Sequence, residues 1–243
     1  MVPTMKYLDL TLPSPQQNLA CDEALLDLCE DGYEHDLLRF WEPREHFVVL
    51  GYSSRISSDV KLLPCRQARI PIVRRCSGGG TVLQGPGCLN FSLVLRMESA
   101  TPLQTIRGTT GLILQRHQHA LEPIAGRPMT IEGFSDLAIG GLKCSGSAQR
   151  RKRRCVLFHG TFLLDFDIRL VERVLAMPVR QPPYREHRSH REFLINLKIP
   201  ARTVKKTLAS AWSATETFAH VPFKEIERLA NDIYSSDAWN LKF

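Results

Sequence analysis

From Cys76 to Leu95 the chain carries no charged residue, yet the stretch holds five glycines and Pro86. A membrane helix cannot be built from it, because glycine and proline at that density interrupt the apolar run a bilayer requires. The chain must instead turn tightly at Gly78-Gly79-Gly80 and again at Gly85-Pro86-Gly87. It then enters an internal strand, Leu89 to Arg96, rich enough in apolar residues to be buried on both faces. A chain of 243 residues can bury roughly 70–75% of its unfolded surface, so such a core needs no disulfides.

The rest of the pattern mixes strands and helices. Met5 to Leu12 alternates as a first strand, and Ser14-Pro15 is an N-cap with proline at the first helical position. Cys21, Ala24, Leu25 and Leu28 recur at helical spacing until Asp31-Gly32 ends the helix. Strands follow at Leu37–Trp41 and Phe47–Leu50, a short helix at Ile56–Leu63 stopped by Pro64, and a strand at Ile70–Val73. Pro102 to Leu121 reads as a helix, and Ser135–Gly141 and Cys155–Phe166 as strands around a Gly/Ser-rich, then basic, connection. Ile168–Met177 has helical spacing, Pro178–Glu192 is a proline- and histidine-rich loop, and Val204–Trp212 and Phe223–Tyr234 close the chain as helices. With no regular βαβ rhythm, no repeat and no linker, an α+β fold in one domain over 1–243 is expected.

Lys+Arg exceed Asp+Glu by 32 − 25 = 7, and five of the positive charges form one run, Arg150-Arg151-Lys152-Arg153-Arg154. No aromatic-interleaved motif accompanies it, so nucleic-acid binding is not favoured. The seven cysteines are odd in number and contain no CxxC pair, which leaves zinc and redox chemistry unsupported. The opening ten residues lack a signal-peptide core, and no stretch suits a membrane, so a reducing cytoplasmic setting is expected.

Three segments can carry chemistry. Gly78-Gly79-Gly80 brings backbone N–H groups near a ligand with no Cβ in the way, and Arg74 and Arg75 add charge beside it. Lys143 sits among the small residues of Gly140-Gly141-Leu142-Lys143-Cys144-Ser145-Gly146-Ser147-Ala148-Gln149, where its ammonium can steady an oxyanion or phosphate. His159-Gly160-Thr161 leads into an apolar run.

Taken together, Arg-Arg-x-Ser-Gly-Gly-Gly, then Ser135-Asp136-Leu137, then the lysine segment, then His159-Gly160-Thr161 resemble the lipoate–protein ligase A family. The first helix, Asn18-Leu19-Ala20-Cys21-Asp22-Glu23-Ala24, and the closing Tyr234…Trp239-Asn240 extend the resemblance over nearly the whole chain. The superfamily includes biotin protein ligases and lipoyl or octanoyl transferases. The resemblance implies a mixed, largely antiparallel sheet flanked by helices, like biotin ligases and class II aminoacyl-tRNA synthetases. It implies that ATP, with Mg2+, activates lipoate to lipoyl-adenylate. A lysine of an acceptor lipoyl domain, in an E2 subunit or a glycine cleavage H-like protein, then takes the lipoyl group. It assigns Lys143 to catalysis. Arg74, Arg75, Ser77, Gly78, Gly79, Gly80, Thr81, Gln84, Asp136, Ser147, Ala148, His159, Gly160 and Thr161 fall to substrate and adenylate binding.

The family's usual His-Asp is replaced here by Gln84-Gly85, which alters a polar contact. The longer ligases continue into an accessory domain beyond Trp-Asn, so a separate polypeptide supplying that domain is a further expected partner. The rival reading is an ATP-independent octanoyl or lipoyl transferase acylated on Cys76, Cys144 or Cys155, each beside a cationic residue. Related transferases carry their cysteine between the glycine and lysine motifs or well after the lysine motif. Arg96–Glu132 and the chain after Cys155 contain none, and Cys88, which follows the glycine motif at the mouth of a buried strand, stands too early to match. A lipoate binder without catalysis and a basic nucleic-acid binder stand behind these two.

Overall fold

The computed structural model describes residues 5–97 and 101–243. The domain expected over 1–243 therefore includes residues 1–4 and 98–100, which lie outside the described residues. In chain order the elements are β1 (Lys6–Asp9), α1 (Pro15–Glu30), β2 (Leu37–Trp41), β3 (Phe47–Leu50), α2 (Ile56–Asp59), α3 (Leu62–Gln67), β4 (Ile72–Arg74), β5 (Val82–Gln84) and β6 (Cys88–Arg96). Then come α4 (Ile106–Ala125), β7 (Met129–Glu132), β8 (Asp136–Ile139), β9 (Leu142–Arg151), β10 (Cys155–Leu163) and α5 (Arg169–Val174). The chain closes with α6 (His190–Phe193), α7 (Ala201–Ala211), β11 (Glu216–Thr217), α8 (Phe223–Leu229) and α9 (Asp237–Asn240).

Among the described residues eight strands form one sheet in the order β11-β1-β2-β6-β10-β9-β8-β7, and β4-β3-β5 form a small second sheet. In the large sheet β1 pairs in parallel with β2 and β11, and every other pairing is antiparallel. This is the expected mixed α+β class. Among the described residues no helix is long and apolar enough to cross a membrane.

Strand alternation decides which side chains meet. On β10, Val156, Phe158 and Phe162 join the core beneath α4 and α7, whereas Cys155 and Leu157 join the core beneath α1 and α8. His159 and Thr161 share the α1 side with Leu157 by the same period of two. Arg39 on β2 and Asn90 on β6 reach that side too, giving the sheet a band of polar residues between apolar ones.

Several boundaries differ from the sequence reading. Strand β1 ends early because the Leu12 N–H is taken by the side chain of Asn18 at the start of α1. That helix is closed by a capping box between Ser14 and Gln17, with Pro15 next to the cap. Pro64 does not stop a helix: it stands in the first turn of α3, where no N–H partner is lost. Val60, extended between α2 and α3, bridges to Leu175 instead. The Gly/Ser-rich connection is in fact strand β9, joined to β8 by a two-residue turn with Gly140 at φ 57° and Gly141 at φ 73°. Low strand propensity yields there to pairing on both sides, by β8 and β10.

Candidate active site

The glycine loop is seated on a buried arginine. The Arg75 guanidinium donates to the carbonyls of Gly78 at 2.6 Å and Gly80 at 2.8 Å, and to the Ser77 hydroxyl at 3.1 Å. Burial lowers the Arg75 pKa to about 10, which leaves it charged at neutral pH. Gly79 has φ 85°, and a Cβ there would come within 2.9 Å of Arg75 Nη2. From below, Gly51 touches the loop so closely that a Cβ on it would lie 2.0 Å from the Gly79 carbonyl oxygen. At Gly78 and Gly80 a Cβ would meet nothing within 4 Å, so the outer side of the loop is open to a ligand.

Ser77 anchors the loop to the sheet. Its hydroxyl lies 2.6 Å from His159 Nε2, and His159 Nδ1 lies 3.1 Å from Asp22 Oδ2. The other Asp22 oxygen takes a 2.6 Å hydrogen bond from Arg39, which also donates to the side chain and carbonyl oxygen of Asn18. Burial alone would raise the Asp22 carboxyl. Arg39 and the His159 ring outweigh it and hold the group below its ordinary range, as a carboxylate.

The second half of the site lies along β8 and β9. Lys143 Nζ is 2.8 Å from Asp136 Oδ1, and the Tyr184 hydroxyl donates to Asp136 Oδ2 at 2.7 Å. A register shift between Leu137 and Ala138 turns the lysine toward this carboxylate. Its side chain lies across Gly146, where a Cβ would be 2.6 Å from Nζ. Ser147 is held by its N–H and its hydroxyl, both on the Ser135 carbonyl. Ala148 pairs with His159 and Ser147 with Gly160, so the lysine strand runs beside the histidine strand under the glycine loop. An open amide-rich loop, an ammonium and a wall of small residues therefore converge, an arrangement fit to hold an anion and a carboxylate.

Residues 14–211 match the family model of the lipoyl protein ligase A/B catalytic domain. The chain belongs to that family. A putative lipoate-protein ligase A of Aeropyrum pernix is 32% identical over 164 residues, which span 67% of this chain and 58% of that protein. The octanoyltransferase LipM of Brevibacillus brevis is 25% identical over 98% of each chain. Among solved structures, the bipartite lipoate protein ligase of Thermoplasma acidophilum superposes with a TM-score of 0.84 at 23% identity, covering 98% of this chain and 96% of that one. A lipoate-protein ligase A solved with ATP gives 0.81 at 24% identity, with 99% of each chain covered.

Not every residue singled out by the lipoyl ligase A/B resemblance faces the ligand side. Arg74 is fully buried, and its guanidinium donates to the carbonyls of Gly51, Tyr52, Ser54, Trp239 and Asn240. It pins the closing helix to the small sheet. Gln84 is also turned inward: it donates to Thr161, accepts from Asn90, and Thr161 in turn donates to Asn90. These three side chains close a ring, so Gln84 braces the sheet where a substrate contact was expected. The Thr81 hydroxyl is committed to Asp59.

All seven cysteines are buried. Burial pushes the thiols of Cys76, Cys88 and Cys144 up to about 12, and it raises Cys155 as well. Cys144 follows Lys143 but points the opposite way, into the core, with Sγ on the Leu137 carbonyl. The basic run is the tip of the β9–β10 hairpin. Its Lys152 is paired with Asp27, and Arg151 donates to Thr109 and the Leu103 carbonyl, while Arg150, Arg153 and Arg154 are exposed.

Sequence reasoning missed Asp22 as a partner of His159, as well as Arg39, Asn90, Gly51 and Tyr184. Asp22 lies in the Asn18–Ala24 segment that carried the family likeness. Gly51 is a lone glycine after an apolar strand, and only the approach of the glycine loop reveals its purpose.

Proposed function

We propose that the chain is an ATP-dependent lipoate–protein ligase. A lipoate carboxylate attacks the α-phosphorus of ATP, pyrophosphate leaves, and the ε-amine of an acceptor lysine then attacks the acyl carbon, with AMP and a proton released. The observation that carries this reading is Lys143 across Gly146 on the strand whose Ala148 meets the glycine loop, with every cysteine buried as a thiol. An ammonium there neutralises the carboxylate and phosphate oxygens as they approach, whereas a thioester intermediate needs an accessible thiolate. Gly78, Gly79 and Gly80 would hold phosphate or carboxylate oxygens by their amides. Asp136, Ser147 and Ala148 would line the adenylate, with His159-Gly160-Thr161 behind it.

Among the described residues no three His, Cys, Asp or Glu side chains gather as a metal cage. Mg2+ brought with the nucleotide would rest mainly on phosphates and water. The partner proposed is a lipoyl domain, in an E2 subunit or a glycine cleavage H-like protein, with a separate accessory polypeptide as a second partner. A bipartite lipoate protein ligase and its E2 lipoyl domain, from Thermoplasma acidophilum, supply the precedent.

The second reading, an octanoyltransferase, is favoured by the LipM relative that aligns along 98% of both chains. One experiment separates the two. Purified protein is incubated with lipoate and an apo lipoyl domain, with and without ATP and Mg2+, and the acceptor is weighed by mass spectrometry. A lipoyl mass gain only with ATP supports the ligase. Transfer from an octanoyl carrier protein without ATP overturns it.

A further inference from the structure

The segment Pro178–Glu192 is shaped around the lysine–aspartate pair. Pro183-Tyr184-Arg185 form a single helical turn, followed by Glu186 at φ 51° and His187 at φ 57°. Two successive left-handed residues other than glycine are uncommon and reverse the chain sharply. Arg185 is buried over the Phe193 ring at 4.6 Å. Arg188 donates to the carbonyls of Tyr184, Arg185 and Gly141. Gly141 belongs to the turn between β8 and β9, so Arg188 ties the segment to the hairpin that bears Asp136 and Lys143.

What the segment delivers is one hydroxyl. The Tyr184 ring lies 5.0 Å from that of Phe193, and its O–H reaches Asp136 Oδ2 at 2.7 Å. The remaining oxygen of the same carboxylate faces Lys143 Nζ at 2.8 Å. With one donor on each oxygen, the carboxylate cannot rotate without breaking a charge-assisted hydrogen bond. Burial, then the neighbouring Asp136, push the Tyr184 pKa up, so the phenol stays a donor at neutral pH.

We propose that Tyr184 is a positioning residue that acts through Asp136 to fix the place of the Lys143 ammonium. The inference rests on the reading of Lys143 as the cation that meets the acyl carboxylate and phosphate.

Tyr184→Phe keeps the ring on Phe193 and removes only the hydroxyl. The expected result is a kcat for acyl-adenylate formation lowered tenfold or more, with KM for ATP and lipoate within threefold. Because Tyr184 works through Asp136, the double variant with Asp136→Asn should be no more than twofold slower than Asp136→Asn alone. A wild-type kcat for Tyr184→Phe, or effects that multiply in the double variant, would reduce Tyr184 to loop packing and overturn the proposal. A second readout needs no activity: the rate at which acetic anhydride labels Lys143, followed by peptide mass spectrometry. Labelling should rise threefold or more in Tyr184→Phe, and an unchanged rate also overturns the proposal. If wild-type protein makes no acyl-adenylate but the labelling rises, the ligase reading fails and the positioning role stands.

Discussion

The Ser77 hydroxyl and His159 Nε2 stand 2.6 Å apart, and this contact joins the glycine loop to the sheet. Asp22 fixes the orientation of the ring. As a carboxylate it can only accept, so the His159 Nδ1–H donates to it, and Nε2 is the ring atom that faces the Ser77 hydroxyl. Ser77→Ala leaves His159 Nε2 short of a partner, while Arg75 Nε keeps the Gly78 carbonyl at 3.1 Å. We expect a loss of about 1–3 kcal/mol in urea unfolding, with at least a fivefold rise in KM for the nucleotide or the acyl substrate as the loop loosens. Unchanged stability and KM would mean that the loop is held by Arg75 alone.

Gly146→Ala isolates the lysine. The added Cβ would sit 2.6 Å from Nζ and 2.7 Å from Cε, and these are the flexible end of the side chain. The protein should fold with little loss while Lys143 is pushed off Asp136, and acyl-adenylate formation should fall about a hundredfold. Lys143→Ala should lose on the order of 3–4 kcal/mol of transition-state stabilisation. Near-normal turnover in either variant removes the lysine from the reaction.

Cys76→Ser, Cys144→Ser and Cys155→Ser, made singly, should retain ATP-dependent activity within about tenfold, the loss reflecting packing. Iodoacetamide at pH 7 should label none of the three in the native protein and all of them after denaturation. A labelled native cysteine, or an acyl thioester trapped on one, points to the transferase.

The hairpin tip divides into two functional groups. Arg151 and Lys152 are tied to Thr109, Leu103 and Asp27, so replacing them should lower stability. Arg150, Arg153 and Arg154 are exposed and free to steer an acidic acceptor. Their triple replacement by Ser should slow transfer to a lipoyl domain more than adenylate formation. The difference should shrink with salt, because screening acts within a Debye length of ~8–10 Å. Equal slowing of both half-reactions would assign these arginines no role in acceptor encounter.

His117 makes stability depend on pH. Burial first, then Arg116, lower its pKa from 6.5 to about 3, and its Nε2 accepts a hydrogen bond from the Trp212 indole. Between pH 6.5 and 3 the unfolded chain binds the proton and the folded chain does not. Stability is therefore full above 6.5 and falls through that window by up to about 1.4 kcal/mol per pH unit from this group. His117→Gln retains an acceptor for Trp212 and should flatten the slope in urea titrations. An unchanged slope would place the acid sensitivity elsewhere.

Amino-acid order alone determined the elements whose signals are local. The Ser14 cap, the α1 periodicity, the apolar β6 and the unobstructed Gly78–Gly80 backbone depend only on neighbours within a few residues. The spacing of the glycine, lysine and histidine motifs likewise marked the lipoyl ligase A/B family without coordinates. Tertiary structure decided the partners. Ser77 and His159 are far apart in sequence, as are Asp136 and Tyr184, and only the packing of the glycine loop on β10 and of the Pro178–Glu192 segment on β8 brings each pair to hydrogen-bond distance. It also decided that β9 is a strand despite its glycines and serines, because flanking strands satisfy its backbone on both sides. Arg74 and Arg75, adjacent and identical in chemistry, were separated in role for the same reason. Successive residues point to opposite sides of an extended chain, so one guanidinium meets the carbonyls around the closing helix and the other those of the glycine loop.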